Sequence, residues 1–155
     1  MRPDKRPRSQ RREFDVTEPL DPDVYHGLAG VRLAMRRFLS FSEAALSEVG
    51  VTSQQYQALL VIKIAASGSI MMRELAEQML LQPNGAVQLV NRLEAAGLAI
   101  RIPSPEDKRS VLIGLTELGE ELLERLARIH LKGMFENEKL LVESLRRLRR
   151  LSRSD

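Results

Sequence analysis

The chain of 155 residues contains no cysteine and no tryptophan, and it has only two tyrosines and four phenylalanines. Without cysteine the protein has no disulfide, no thiolate metal site and no switch based on thiol oxidation. No uninterrupted run of about 18 apolar residues occurs, so the sequence predicts neither a membrane span nor a secretory signal. These absences favour a soluble protein of the reducing cytoplasm.

Residues that carry catalytic chemistry are also scarce. The two histidines, His26 and His130, are far apart and do not form an H-x-x-x-H pair that would place two metal ligands on one helix face. The sequence contains no G-x-S-x-G nucleophile motif and no glycine-rich phosphate loop. We therefore expect no enzyme activity, no metal and no cofactor.

The net charge of +3 is unevenly distributed. Residues 1–12 carry six basic side chains and one acidic side chain, so the remainder of the chain is slightly negative. With three prolines and few apolar residues, the segment 1–20 is predicted to be a flexible basic extension. Two interpretations stay open: an arm that binds phosphates, or a solvated terminus.

Residues 21–155 are predicted to form one mainly α-helical domain with a small β-hairpin. Asp21 as a cap and Pro22 at the first helical position predict a helix that extends to about Gly50. Its apolar positions recur at helical spacing, namely at Leu28, Val31, Met35, Phe38 and Leu39. Thr52 and Gln55 form a capping box for a second helix that ends near Ser67.

Two short helices follow, at about 72–79 and 83–96, and the absence of a linker between them predicts a tight pair. The strand-like runs 98–103 and 111–115 flank a polar, charged turn, which predicts a hairpin with a charged tip. Thr116 then caps a helix, and a separate final helix, in which leucines alternate with arginines, completes the chain.

A tight helix pair followed at once by a charged hairpin is typical of a winged helix-turn-helix, in which the second helix enters the major groove of DNA. The polar face of that helix offers side chains that can bond base edges or phosphates, namely Gln82, Asn84, Gln88, Asn91 and Arg92. A solvated helix face has a similar composition, so the helix alone does not decide between these interpretations.

Four successive sequence motifs point to one particular family of proteins. They are Leu75-Ala76-Glu77-Gln78-Met79, the run Leu89-Val90-Asn91-Arg92-Leu93-Glu94-Ala95-Ala96-Gly97-Leu98, the triplet Asp107-Lys108-Arg109, and Leu115-Thr116-Glu117-Leu118-Gly119. In order and spacing the chain resembles the MarR family of transcriptional regulators. The strong match covers about residues 70–120, and the flanking helices agree in number and placement.

The resemblance implies a homodimer held by helices at about 21–50 and 116–151, with the winged helix-turn-helix at about 52–116. It also implies binding to palindromic double-stranded DNA, a repressor role and release by a small-molecule effector. Arg109 would enter the minor groove, with Asp107 holding it in position. Lys108 lies between them and completes the predicted DNA-binding set.

The chain departs from the family at two positions. Leu80 stands where the family commonly has glycine, and Gln82 stands where it commonly has a small hydroxyl residue, which predicts an altered turn between the paired helices. Basic and acidic side chains balance over residues 71–112, so we expect moderate DNA affinity.

Other interpretations remain at this point. Four side chains either line an effector cavity between helices or belong to the ordinary core: Tyr25, His26, Met35 and Tyr56. A protein-interaction adapter built on the same winged-helix fold is the alternative function. Binding of the arginine-rich ends to an anionic membrane is a weaker third possibility.

Overall fold

The computed structural model describes residues 19–107 and 109–151, with the side chain of Leu151 excepted. The basic extension predicted for residues 1–20 therefore lies almost wholly outside the described residues, as does Lys108. The elements in chain order are α1 (Pro22–Ser47), α2 (Ser53–Ile64), β1 (Ser69–Met71), α3 (Met72–Gln78), α4 (Pro83–Ala95), β2 (Ala99–Pro103), β3 (Val111–Leu115) and α5 (Glu117–Leu151). The predicted class, mainly helical with a small β wing, is confirmed.

The helix starts follow the capping residues seen in the sequence. The Asp21 carboxylate accepts a hydrogen bond from the backbone N–H of Asp23 at 2.8 Å. Thr52 and Gln55 exchange both bonds of a capping box, at 3.1 and 2.9 Å. The Thr116 hydroxyl accepts from the N–H of Gly119 at 3.0 Å. Each side chain pairs a backbone donor that the first helical turn leaves without an intrahelical partner.

The sheet has a strand that the sequence analysis missed. Strand β1 pairs with β3, which also pairs with β2, so the antiparallel order is β1-β3-β2. Ile113 lies at the centre of β3, opposite Ile70 on one side and Arg101 on the other. Because β1 has only three residues, it is too short to show the alternation that predicts a strand.

The elements from α2 to β3, residues 53–115, form the winged half of the chain. Its core lies beneath this sheet. Side chains from α2, α3, α4, β3 and the start of α5 are fully buried there, among them Leu59, Ile62, Leu75, Leu89, Leu93, Ile113 and Leu126. Ala76 on α3 is also buried, and α3 packs against α4. The buried apolar side chains pack α3 against α4, as the predicted tight pair requires, and leave the opposite face of α4 outward.

The prediction of two separate helices after the hairpin is wrong. Helix α5 runs without a break over 35 residues, from Glu117 to Leu151. Gly133 lies in the part of α5 between the two helices that the sequence predicted. It is buried against the ring of Phe41 on α1. A Cβ at position 133 would collide with that ring, so the glycine allows a close helix contact here and does not end the helix.

Helices α1 and α5 pack antiparallel along most of their length. Arg147 donates to Asp23 at 2.8 Å near one end of the pair, and Ser42 contacts His130 at 2.7 Å near the other. Small residues lie at the closest approach, where a Cβ on Gly27 would come within 2.6 Å of the Leu148 side chain. Leu28, Met35 and Leu39, which the sequence placed on the apolar stripe of α1, remain exposed.

Candidate nucleic-acid interface

The turn between α3 and α4 closes with a regular hydrogen-bond pattern despite its unusual sequence. The N–H of Leu81 donates to the carbonyl of Ala76 at 2.9 Å, and the N–H of Leu80 donates to the carbonyl of Glu77 at 3.2 Å. This pair of bonds is a Schellman motif, which needs a left-handed residue at its centre. Leu80 occupies that position with φ of 53° and is 93% exposed. The turn therefore keeps its path, with a strained leucine in the place of glycine.

Helix α4 presents one polar face to solvent. Its buried positions are Ala86, Leu89, Val90 and Leu93. Asn84, Gln88 and Asn91 follow one another at spacings of four and three, so they share the opposite face, and all three are exposed. Gln82 is the N-cap but makes no capping bond with its side chain, and Pro83 takes the first helical position. Three of the five predicted residues on this helix, Asn84, Gln88 and Asn91, are therefore brought together as an accessible stripe.

Two of these side chains are tied to neighbouring elements. Arg92 donates to the Gln54 side chain of α2 at 3.3 Å. Asn91 accepts a hydrogen bond from Arg101 of β2 at 2.9 Å, and Arg101 also forms an ion pair with Glu94. Asn91 on the stripe is thus tied to the hairpin, and its chain neighbour Arg92 is tied to α2.

The tip of the hairpin is an ordered polar turn. The backbone N–H of Ser104 donates to the carbonyl of Ser110 at 3.0 Å, and the Ser104 hydroxyl accepts from the N–H groups of Glu106 and Asp107 at 3.3 and 3.4 Å. The Asp107 carboxylate accepts from the backbone N–H of Arg109 and from the Ser110 hydroxyl, both at 2.9 Å. Asp107 therefore fixes the backbone of Arg109 and leaves its guanidinium exposed to solvent.

These bonds also set the charge of Asp107. The backbone N–H of Arg109, and next to it the hydroxyl of Ser110, hold the pKa of the Asp107 carboxyl below its ordinary value of 3.8. Both bonds favour the ionised form. Across the physiological range Asp107 is therefore a carboxylate, which is the form that the turn requires.

Sequence reasoning missed Ser104, Ser110, Arg101, Glu94 and Gln54 as supporting residues. Ser104 precedes Pro105 in a polar cluster, and a hydroxyl that bonds backbone N–H groups two and three residues ahead is a known turn signal. No local signal identifies the bond that Arg101 donates to Asn91 or the bond that Gln54 accepts from Arg92, because these bonds join separate elements and depend on the tertiary fold.

The four candidate effector residues lie in different places. Tyr25 is 61% exposed on α1. His26 lines a groove of about 730 Å³ between α1 and the arginine-rich end of α5, and Met35 lines a separate apolar cavity of about 160 Å³. Tyr56 stacks on His130 with ring centres 4.3 Å apart, and burial raises the pKa of its phenol. The structure does not bring the four together.

His130 joins three helices at one buried point. Its Nδ1 lies 2.7 Å from the carbonyl oxygen of Leu126, which can only accept, so Nδ1 carries a proton. In the neutral ring Nε2 then accepts from the Ser42 hydroxyl. Phe38 and Phe41 of α1 meet the ring edge-on, while Tyr56 of α2 covers its face. The polar atoms of this histidine are thus satisfied inside an aromatic cage.

Over 19–107 and 109–151, the chain holds no cluster of three or more cysteine, histidine, aspartate or glutamate side chains placed to bind a metal ion. Among the described helices, none combines the length and the apolar character that crossing a bilayer requires.

Comparisons with known proteins agree with this geometry. A model of the MarR family matches residues 49–110. The HTH-type transcriptional regulator YhbI of Bacillus subtilis is 38% identical over 115 residues, which span 72% of each chain. Among solved structures, Rv1404 from Mycobacterium tuberculosis is similar with a TM-score of 0.65 at 22% identity, covering 77% of this chain and 82% of that one. A mutant of MarR from E. coli, complexed with operator DNA, is similar with a TM-score of 0.64 at 22% identity, covering 86% of this chain and 96% of that one.

Together with these relatives, the fold places the chain in the class of transcription regulators with a winged-helix DNA-binding fold. The chain belongs to the MarR family. The resemblance drawn from its sequence motifs is confirmed.

Proposed function

We propose that the protein is a sequence-specific repressor that binds a palindromic operator as a homodimer and is released by a small-molecule effector. The observation that supports this most directly is the joint exposure of the α4 stripe and the wing tip. An α4 face with amides at three aligned positions suits the major groove, and a hairpin that holds Arg109 outward suits the adjacent backbone or minor groove. The similar MarR mutant was solved with operator DNA, which agrees with this use of the fold.

The homodimer is supported by the exposed apolar side chains of α1 and α5. Leu28, Met35 and Leu39 on α1, with Leu131, Met134 and Phe135 on α5, are all at least 46% exposed. Such a set of exposed apolar side chains on two packed helices is a liability on a monomer and is commonly buried in an interface. A two-fold dimer would present two copies of α4, and a symmetric reader predicts a palindromic operator.

Repression and release are the finer parts of the proposal. A dimer seated on a promoter blocks access of the transcription machinery by occupancy. An effector that binds better to a dimer with wrongly spaced recognition helices would lower the population able to bind DNA. Thiol oxidation is not available as the signal, because the chain has no cysteine. A regulator of this kind acts where the DNA is, so we place it in the cytoplasm.

The test is a fluorescence-anisotropy titration against the duplex that flanks the protein's own gene, with an excess of unrelated DNA as competitor. We expect binding that survives the competitor and weakens with salt, because phosphate contacts release counterions. The double variant Asn84→Ala with Gln88→Ala should lose this binding and stay folded. Arg128→Ala, which removes an exposed ion pair of α5, is the matched control and should bind as the wild type does.

Two results would contradict the proposal. Binding that the competitor abolishes would leave a non-specific DNA binder. No binding to any tested duplex, together with normal folding, would favour the adapter function. Sedimentation equilibrium on the same samples tests the dimer, which we expect as the species that binds one duplex.

A further inference from the structure

The side chain of Asn91 is held in one orientation by a neighbour on the wing. Its Oδ1 lies 2.9 Å from Nη2 of Arg101. A guanidinium has only donors, so the amide atom that faces it must be the oxygen, and the amide nitrogen Nδ2 must point the other way. Asn91 is exposed and lies on the stripe with Asn84 and Gln88, so Nδ2 is the amide atom that remains for a partner outside the protein.

Arg101 is itself firmly placed. The Glu94 carboxylate accepts the backbone N–H of Arg101 at 3.2 Å and pairs with its guanidinium through Nη1. The side chains of Arg101 and Glu94 are each only 31% exposed. The Glu94 carboxylate thus holds both the backbone N–H and the guanidinium of Arg101. The other guanidinium nitrogen, Nη2, remains to bond Asn91.

We infer that Arg101 is a positioning residue that makes Asn91 a reader of guanine. A free asparagine pairs with adenine, using its oxygen to accept from N6 and its nitrogen to donate to N7. With its oxygen turned toward Arg101, Asn91 offers the groove two N–H donors. Guanine presents two adjacent acceptors, O6 and N7, and is the base that two donors fit best.

This inference rests on the proposed sequence-specific DNA binding and adds which base one residue selects. The test is selection from a randomised duplex library by the wild type and by Asn91→Ala, Arg101→Lys and Arg128→Lys. The position read by Asn91 is the one whose preference Asn91→Ala removes. We expect the wild type to prefer guanine there by about five- to tenfold over adenine.

Arg101→Lys separates positioning from simple stability. Lysine keeps a positive charge beside Glu94 but lacks the planar fork, so it cannot hold Glu94 and Asn91 together. We expect this variant to fold normally, judged by circular dichroism, and to shift the preference at that one position from guanine toward adenine. Arg128→Lys, on a distant ion pair of α5, should leave every position unchanged.

The outcomes separate this inference from the proposed function. A wild type that selects no sequence would overturn the proposed function itself. A wild type that selects a sequence but prefers adenine at the position defined by Asn91→Ala would overturn only the role of Arg101. An unchanged guanine preference in Arg101→Lys would do the same. Because Asn91 is exposed, Asn91→Ala keeps the test valid even if Arg101→Lys fails to fold.

Discussion

The winged half and the α1–α5 pair differ in whether they bury polar side chains. In the winged half the fully buried side chains are apolar, as at Leu59, Leu89 and Ile113, and the outer face of α4 is polar. In the pair, Ser42, His130 and Ser144 are buried while large apolar side chains are exposed. The winged half has an apolar core of its own, and the exposed apolar side chains of the pair are the ones that we propose a second copy covers.

The largest expected effect comes from a cavity in the winged half. Leu89→Ala removes a side chain that is 0% exposed, so we expect the free energy of unfolding to fall by about 3 kcal/mol. Leu145→Ala on α5 is the matched control and should cost less than about 1 kcal/mol, because Leu145 is 47% exposed. Urea unfolding followed by circular dichroism measures both. Equal losses of unfolding free energy in the two variants would show that the α1–α5 pair is as fully packed around Leu145 as the winged half is around Leu89.

The second prediction concerns the exposed apolar surface of the pair. Phe135→Ser should weaken dimerisation at least about tenfold, because burial of a phenylalanine contributes about 1.5–3 kcal/mol. Ile64→Ser, which changes an exposed apolar residue of α2 in the winged half, should leave the dimer intact. Sedimentation equilibrium gives the dissociation constants. Similar dimerisation of the wild type and Phe135→Ser would refute the assigned interface.

The buried polar cluster should respond to loss of one hydroxyl. Ser42→Ala leaves Nε2 of His130 without its donor, and an unsatisfied buried group costs about 1–2 kcal/mol. Ser40→Ala, which changes a nearby serine on the exposed side of α1, should alter stability by less than about 0.5 kcal/mol. Thermal unfolding at a fixed protein concentration distinguishes them. A neutral Ser42→Ala would mean that the bond contributes nothing to holding the helices together.

The same backbone turn ends two helices, and substitutions at its left-handed residue should change stability in opposite directions. Leu80 and Gly97 both occupy left-handed positions, with φ of 53° and 71°. Leu80→Gly should stabilise by about 1 kcal/mol because it relieves the strain of a side chain there. Gly97→Ala should destabilise by a similar amount, of order 1 kcal/mol, since a new Cβ would meet only Leu118 at 3.7 Å and the cost is conformational. Two changes of the same sign would contradict this account.

The smallest expected effect is the response of DNA affinity to pH. The pKa of Asp107 is lowered in the folded protein, so its bonds to Arg109 and Ser110 contribute above the ordinary value of 3.8 and are lost as pH falls through the lowered pKa. DNA affinity should therefore show no step from Asp107 between about pH 5 and 8. Anisotropy titrations across that range test this, with Asp107→Asn as the comparison. A step in the wild type that Asp107→Asn removes would contradict the assigned ionisation.

Local signals predicted the fold well and tertiary contacts poorly. Thr52 and Thr116 were identified as caps because their partners lie three residues away. The break expected within α5 was wrong because the contact between Gly133 and Phe41 joins residues far apart in sequence. At the candidate nucleic-acid interface, helical periodicity predicted which residues of α4 are exposed. The orientation of Asn91 did not, since it depends on Arg101 from the wing.

The most direct test of the central claim is amide hydrogen exchange of the protein with and without its operator duplex. We predict that the duplex slows exchange in α4, at Pro83–Ala95, and in the hairpin from β2 to β3, with little change along α1 and the second half of α5. Protection confined to α1 and α5, with α4 and the hairpin unchanged, would contradict the claim that the polar face of α4 and the wing tip bind DNA.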